Sequence, residues 1–139
     1  MVDRISEEAR SYVMSRVRSK NTKPEIIVRS FLHKRGFRFR LYKKELPGKP
    51  DLVLKKYKSV IFVNGCFWHR HKDCPRATMP TSNIEFWKKK FRATQNRDRL
   101  IRQELENMGW VVLTVWEYEL KPSTSEKTLE GLEEKIYQA

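Results

Sequence analysis

Two runs limit what this chain can fold into: "SVIFV" at 59–63 and "WVVLTVW" at 110–116 are apolar and rich in β-branched residues almost without interruption. Such residues fit a pleated surface, and a run with so little polar alternation reads as a buried strand. Buried strands need cover, and the segments around them carry it. Ile5, Ala9, Val13 and Val17 recur at helical spacing over 5–18. "NTKPE" reads as a helix start, with Thr22 as N-cap, Pro24 in the first turn and Glu25 three residues after the cap. That helix carries Ile27, Val28, Phe31 and Leu32 and stops at Gly36. "FRFRLY" alternates apolar and basic residues, which predicts a strand over Phe37–Tyr42 with one wet face. "LPGKPD" is a turn into "LVL", and "KKYK" is a second turn before "SVIFV". "SNIE", Ser82 to Glu85, reads as another capping box. It opens a long helix through Phe86, Trp87, Phe91, Leu100, Ile101 and Leu105 that ends near Gly109. A last amphipathic helix uses Leu129, Leu132 and Ile136 after Pro122. The order predicts one α/β domain over 1–139, a central mixed β-sheet flanked by helices.

At 139 residues the chain can bury an ordinary core without disulfides. Its formal charge is +13, from 30 Lys and Arg against 17 Asp and Glu, spread from Arg4 to Lys135. A polyanionic partner is the first expectation, against the plainer reading that the charges only solvate the surface. No apolar stretch approaches the about 20 residues that span a bilayer, and "MVDRISEEAR" lacks the apolar centre of a signal peptide. A cytoplasmic location with no membrane partner is therefore expected. Cys66 and Cys74 can bridge on parity alone, but a reducing compartment and the nearby histidines favour metal.

The chemistry concentrates in two places. Asp51 follows Pro50 at the mouth of a strand, where a carboxylate can reach substrate and hold Mg2+ through oxygen. Pro-Asp is also a common turn. A helix bearing an acid, then "PD", then a hairpin strand is the layout of restriction-endonuclease-like nucleases, which usually add an acid and a lysine on the next strand. Here that stretch is "FVN", Phe62 to Asn64, so another group must activate water. His69 is the candidate general base, with zinc ligation or plain exposure as the competing readings. Cys66, His71 and Cys74 form a C-x4-H-x2-C cluster suited to zinc. These are three ligands, and a fourth can come from His69, a distant residue or water. Phe67 and Trp68, set between these groups, read either as core packing under the loop or as recognition elements.

"MSRVRSKNTKPE", "LPGKPDLV", "VIFVNGCFWHRHKDCP", "EFWKKK", "NRDR" and "GWVVLTVWE" together resemble the very short patch repair endonucleases, bacterial enzymes that nick DNA at T:G mismatches left by deamination of 5-methylcytosine. The resemblance runs from about Met14 to Glu117 and implies a restriction-endonuclease-like fold. It implies that Asp51 coordinates catalytic Mg2+ together with the backbone carbonyl of Val63, that His69 is the general base, and that Asp98 orients its imidazole. Glu25 would hold metal-bound water, a role that competes or coexists with capping after Thr22. Phe67 and Trp68 would wedge into the duplex beside the mismatch, with Met14 entering from the opposite groove in a DNA-contacting N-terminal helix. Cys66, His71 and Cys74 would hold a structural Zn2+. Double-stranded DNA with a T:G mismatch is the implied partner, contacted at its phosphates by Lys and Arg of "RFRLYKK" and "KKKFRATQNRDRLIR". A monomer and a functional link to a cytosine-5 DNA methyltransferase are also implied.

This chain departs from the family's pattern at three positions. Val63 and Asn64 stand where the family commonly has threonine and histidine, and Tyr118 stands where it places a fourth zinc-binding cysteine. The departures leave the fourth zinc ligand open. They also keep two alternatives in view: a nuclease of the same fold with another DNA target, and a non-catalytic DNA binder.

Overall fold

The computed structural model describes residues 21–139, so the helix expected over 5–18, and Met14 within it, lie outside the described residues. The elements are α1 (Lys23–Lys34), β1 (Arg40–Leu41), β2 (Leu52–Leu54), β3 (Ser59–Asn64), α2 (Ile84–Asn107), β4 (Val111–Trp116) and α3 (Ser125–Gln138), with 3-10 turns at Lys55–Tyr57 and Glu117–Leu120. The strands lie in the order β1-β2-β3-β4. β1 with β2 and β2 with β3 are antiparallel, whereas β3 and β4 run parallel in register from Ser59↔Val111 to Asn64↔Trp116. The parallel pair requires a crossover, and α2 supplies it.

The expected mixed sheet flanked by helices is present. Alternation along its strands divides the core. Leu52, Leu54 and Ile61 point to one face, where Val28 and Leu32 of α1 and Ile136 of α3 cover them. Val53, Val60 and Val112 point to the other, under Leu105 of α2 and Trp110. Layers on both faces explain why the two central strands are apolar nearly throughout. The second half of β3, from Phe62 to Asn64, is only half-buried because that end opens into a cleft.

Three local expectations are corrected. The strand predicted over Phe37–Tyr42 shrinks to Arg40–Leu41: its partner β2 has three residues, and Tyr42 turns away with φ +50°. The helix after the loop starts at Ile84 with Asn83, at φ +55°, as its cap and no side-chain capping bond, in place of a Ser82 box. Leu100, expected on its apolar face, is exposed. Other boundaries match. Thr22 caps α1, its Oγ1 accepting the Glu25 N–H at 3.5 Å. Gly36, at φ +84°, ends that helix in a turn where Phe37 N–H reaches Leu32 O at 3.0 Å, a left-handed closure that glycine adopts without Cβ strain.

Candidate active site

The C-terminal ends of β3 and β4 and the first residue before β2 meet at a cleft of about 640 Å³. The N-terminus of α1 and the middle of α2 wall it. Asp51, Glu25, His69, Asp98 and Val63 all line it, although they come from five separate stretches of chain. Lys23, Lys49, Arg97 and Arg102 line it too, so a phosphodiester entering the cleft meets cations on several sides.

Asp51 lies one residue outside the β2–β3 ladder, whose last pair on this side is Leu52↔Ile61. Its Oδ2 accepts the Val63 N–H at 2.7 Å, so the side chain substitutes for the missing backbone partner. The carboxylate is thereby fixed beside the Val63 peptide. His69 sits in a turn closed by its own N–H to Gly65 O at 3.3 Å. Its Nδ1 is 2.5 Å from Asp98 Oδ2, on the exposed basic helix α2. An ionised carboxylate only accepts, so Nδ1 carries the proton and the basic lone pair is on Nε2.

Glu25 is 5% exposed. Its carboxylate accepts the Asn21 N–H at 3.1 Å and the hydroxyl of Tyr42. The reciprocal half of the capping box therefore reaches one residue beyond Thr22. Burial, followed by the hydrogen bond to Glu25, pushes the Tyr42 hydroxyl above its ordinary pKa, keeping it a donor. Tyr42 had no local sequence signal, because it reaches Glu25 only through the turn after β1.

The second cluster lies at the far side of the same loop. The ligand atoms of Cys66, His71 and Cys74 are all within 4.8 Å of one another, and Cys66 Sγ is 3.4 Å from His71 Nδ1. Zinc distances of about 2.3 Å to sulfur and 2.0 Å to nitrogen give a tetrahedral S···N edge of about 3.5 Å, so the donor set fits zinc. The His71 ring stacks on Trp116 at 4.3 Å and 5°. Glu117 Oε1 accepts the Cys66 N–H at 3.2 Å. Burial pushes the Cys66 thiol up to about 12, against a lowering hydrogen bond from the Tyr118 backbone. A thiol so weakly acidic ionises when a cation is present to take the charge. The oxygen donors of the cleft, Asp51 and Glu25 with the Val63 peptide, form a hard set of the kind that suits Mg2+.

Phe67 and Trp68 line the cleft, but they do not stand free. Trp68 is 6% exposed and packs with Trp87 and Phe91 of α2, while Phe67 is half-buried with its ring 5.1 Å from Phe91. Arg70 locks this cluster: its guanidinium sits 4.0 Å above the Phe91 ring and donates to the carbonyls of Phe67, Ala77 and Thr78. Its burial lowers its pKa. Arg70 and Glu117 carry no role in the sequence reading, and Trp87 enters it only as an apolar residue of the long helix. For Glu117 the signal existed, since it directly follows the strand that runs beside "FVN".

The family model described as DNA mismatch endonuclease Vsr matches residues 2–76. The type II nicking enzyme V.XorIIP of Xanthomonas oryzae pv. oryzae is 48% identical over 120 residues, 86% of this chain and 88% of that protein. The type II nicking enzyme V.NmeAIP of Neisseria meningitidis is 47% identical over 121 residues, covering 87% and 86%. The DNA mismatch endonuclease Vsr of Escherichia coli is 38% identical over 139 residues, covering 98% and 88%.

Proposed function

Because this chain belongs to the Vsr family of DNA mismatch endonucleases, and is an endodeoxyribonuclease whose partner is DNA, we propose that it nicks the thymine-bearing strand at T:G mismatches left by 5-methylcytosine deamination, with Mg2+ and a histidine general base. The observation that carries this reading is the convergence of Asp51, Glu25 and the His69–Asp98 pair on one cationic cleft. Asp51 and the Val63 carbonyl would hold Mg2+, and Glu25 would hold metal-bound water. When bound, Mg2+ supplies positive charge that offsets the charge developing on the phosphate. His69 Nε2 takes a proton from the attacking water as its oxygen bonds to phosphorus and the P–O bond to the leaving oxygen breaks. Asp98 holds the imidazole in that tautomer and stabilises the imidazolium that forms.

Phe67, at the cluster's half-buried edge, and Trp68 behind it act as the wedge that tests how readily the mismatched step unstacks, with Met14 as the opposing element. Cys66, His71 and Cys74 hold a structural zinc that shapes the loop carrying both aromatics. The protein acts as a cytoplasmic monomer, and its flanking sequence preference matches the site of a cytosine-5 DNA methyltransferase. No helix among the described residues is long and apolar enough to cross a membrane.

The test is a panel of labelled duplexes with one T:G mismatch in varied flanks, beside matched and methylated controls, in Mg2+ and then in EDTA. A nick only on the thymine strand, lost without Mg2+, is expected. Cleavage of matched duplex would make it a differently targeted nuclease. Binding without any product would make it a non-catalytic binder.

A further inference from the structure

We propose that zinc held by Cys66, His71 and Cys74 takes its fourth ligand from outside the chain: an exchangeable small donor, water at rest, displaced by a thiol or an imidazole. This rests on reading the cluster as a zinc site.

Counting donors carries the argument. The whole chain has two cysteines and three histidines. Both cysteines and His71 are in the cluster. His69 is taken by Asp98 at 2.5 Å, and His33 lies in the last turn of α1, lining a different recess with Ile26 and Phe39. No thiol or imidazole is left to close the site. Among the described residues no carboxylate joins the group. Glu117, the adjacent acid, spends one oxygen on the Cys66 N–H at 3.2 Å and turns the other towards Arg76 at 3.9 Å.

Tyr118 directly follows Glu117, and its backbone hydrogen-bonds to Cys66. The ring is used elsewhere, with Lys121 Nζ 4.0 Å and the Arg76 guanidinium 5.5 Å from its centroid. His71 and Cys74 border an open surface recess, giving a small molecule an approach. Charge agrees with this. Two thiolates and a neutral imidazole balance Zn2+, and with Arg70 and Arg76 nearby the centre can accept a neutral donor or a thiolate. Closed structural sites carry four protein ligands, whereas a site with three keeps an exchangeable position.

The experiment uses the full chain loaded with one equivalent of Co2+ in place of zinc, read by visible absorption. Imidazole and 2-mercaptoethanol are expected to shift the d–d bands saturably, the thiol adding sulfur-to-metal charge transfer. Tyr118→Cys should abolish both responses and hold the metal at least about tenfold more tightly against a chelator. Glu117→Gln and Tyr118→Phe should leave the resting spectrum unchanged. A wild-type spectrum inert to both probes, or altered by either of those two variants, would show that the chain closes the site itself and overturn the proposal. Cobalt binding that survives Cys66→Ser with Cys74→Ser would instead remove the zinc reading beneath it.

Discussion

Asp98 Oδ2 lies 2.5 Å from His69 Nδ1 across 29 residues of chain, joining the irregular loop after β3 to the middle of α2. The loop alone could not hold an imidazole at a fixed angle, and the helix alone would present Asp98 as one more surface acid. Held together, they give His69 a single tautomer. His69→Ala should therefore lower single-turnover nicking by about 10²–10⁴-fold. Asp98→Asn should lower it by about 10–100-fold, since an amide that turns its NH2 to the ring favours the wrong tautomer. DNA affinity, measured separately, should change little in either. Wild-type nicking rates in Asp98→Asn would exclude the orienting role.

Asp51 holds the Val63 N–H and is proposed to hold Mg2+, and substitution can separate the two. Both Asp51→Ala and Asp51→Asn should abolish Mg2+-dependent nicking. Only the alanine variant removes every acceptor from the Val63 N–H, now bonded at 2.7 Å, at a cost of about 1–3 kcal/mol. Denaturant unfolding should rank wild type, then Asp51→Asn, then Asp51→Ala. Equal stability of all three would mean that water replaces the carboxylate at this peptide.

The aromatic cluster makes packing and recognition distinguishable. Trp87 is 1% exposed at its centre, and Trp87→Ala should cost about 3–5 kcal/mol. Phe67 stands half-buried at the rim, so Phe67→Ala should cost less. The same variant should cut the preference for T:G over matched duplex in competition binding. If Phe67→Ala keeps full discrimination, the ring is packing only.

The turn in "LPGKPD" has a steric explanation. Gly48 sits at φ +73°, and a Cβ there would lie 2.6 Å from Ile101 Cγ2 on α2. Gly48→Ala should destabilise the fold by about 1–3 kcal/mol, from backbone strain and overpacking. Pairing it with Ile101→Ala should give a loss smaller than the sum of the two single variants, read by thermal or denaturant unfolding. Strict additivity would show that the clash relaxes elsewhere.

Local pattern carried much of this. The two apolar runs became β3 and β4, the Thr22 cap formed, and Leu129, Leu132 and Ile136 turned inwards together. Each is settled by neighbours a few residues away, through strand alternation, helical period or a cap. The same holds for Cys66, His71 and Cys74, whose short spacing lets one loop gather them. Charge pattern was less informative: "KKKFRATQNRDRLIR" reads the same whether or not one of its acids faces a histidine.

What the sequence by itself determined, then, was the kind of sheet, its helical cover, the metal-type loop and the residue types available for chemistry. Only the tertiary structure decided which of them meet. Asp51 reaches Val63 through the β2–β3 register, Asp98 reaches His69 through the crossover that α2 makes, and Tyr42 reaches Glu25 through the turn after β1. It also decided that Trp68 is packed against Trp87 and Phe91, a burial that no periodicity in an irregular loop announces. Contacts between distant segments depend on how whole elements dock, and docking is set by the sum of core packing, which no single stretch of sequence contains.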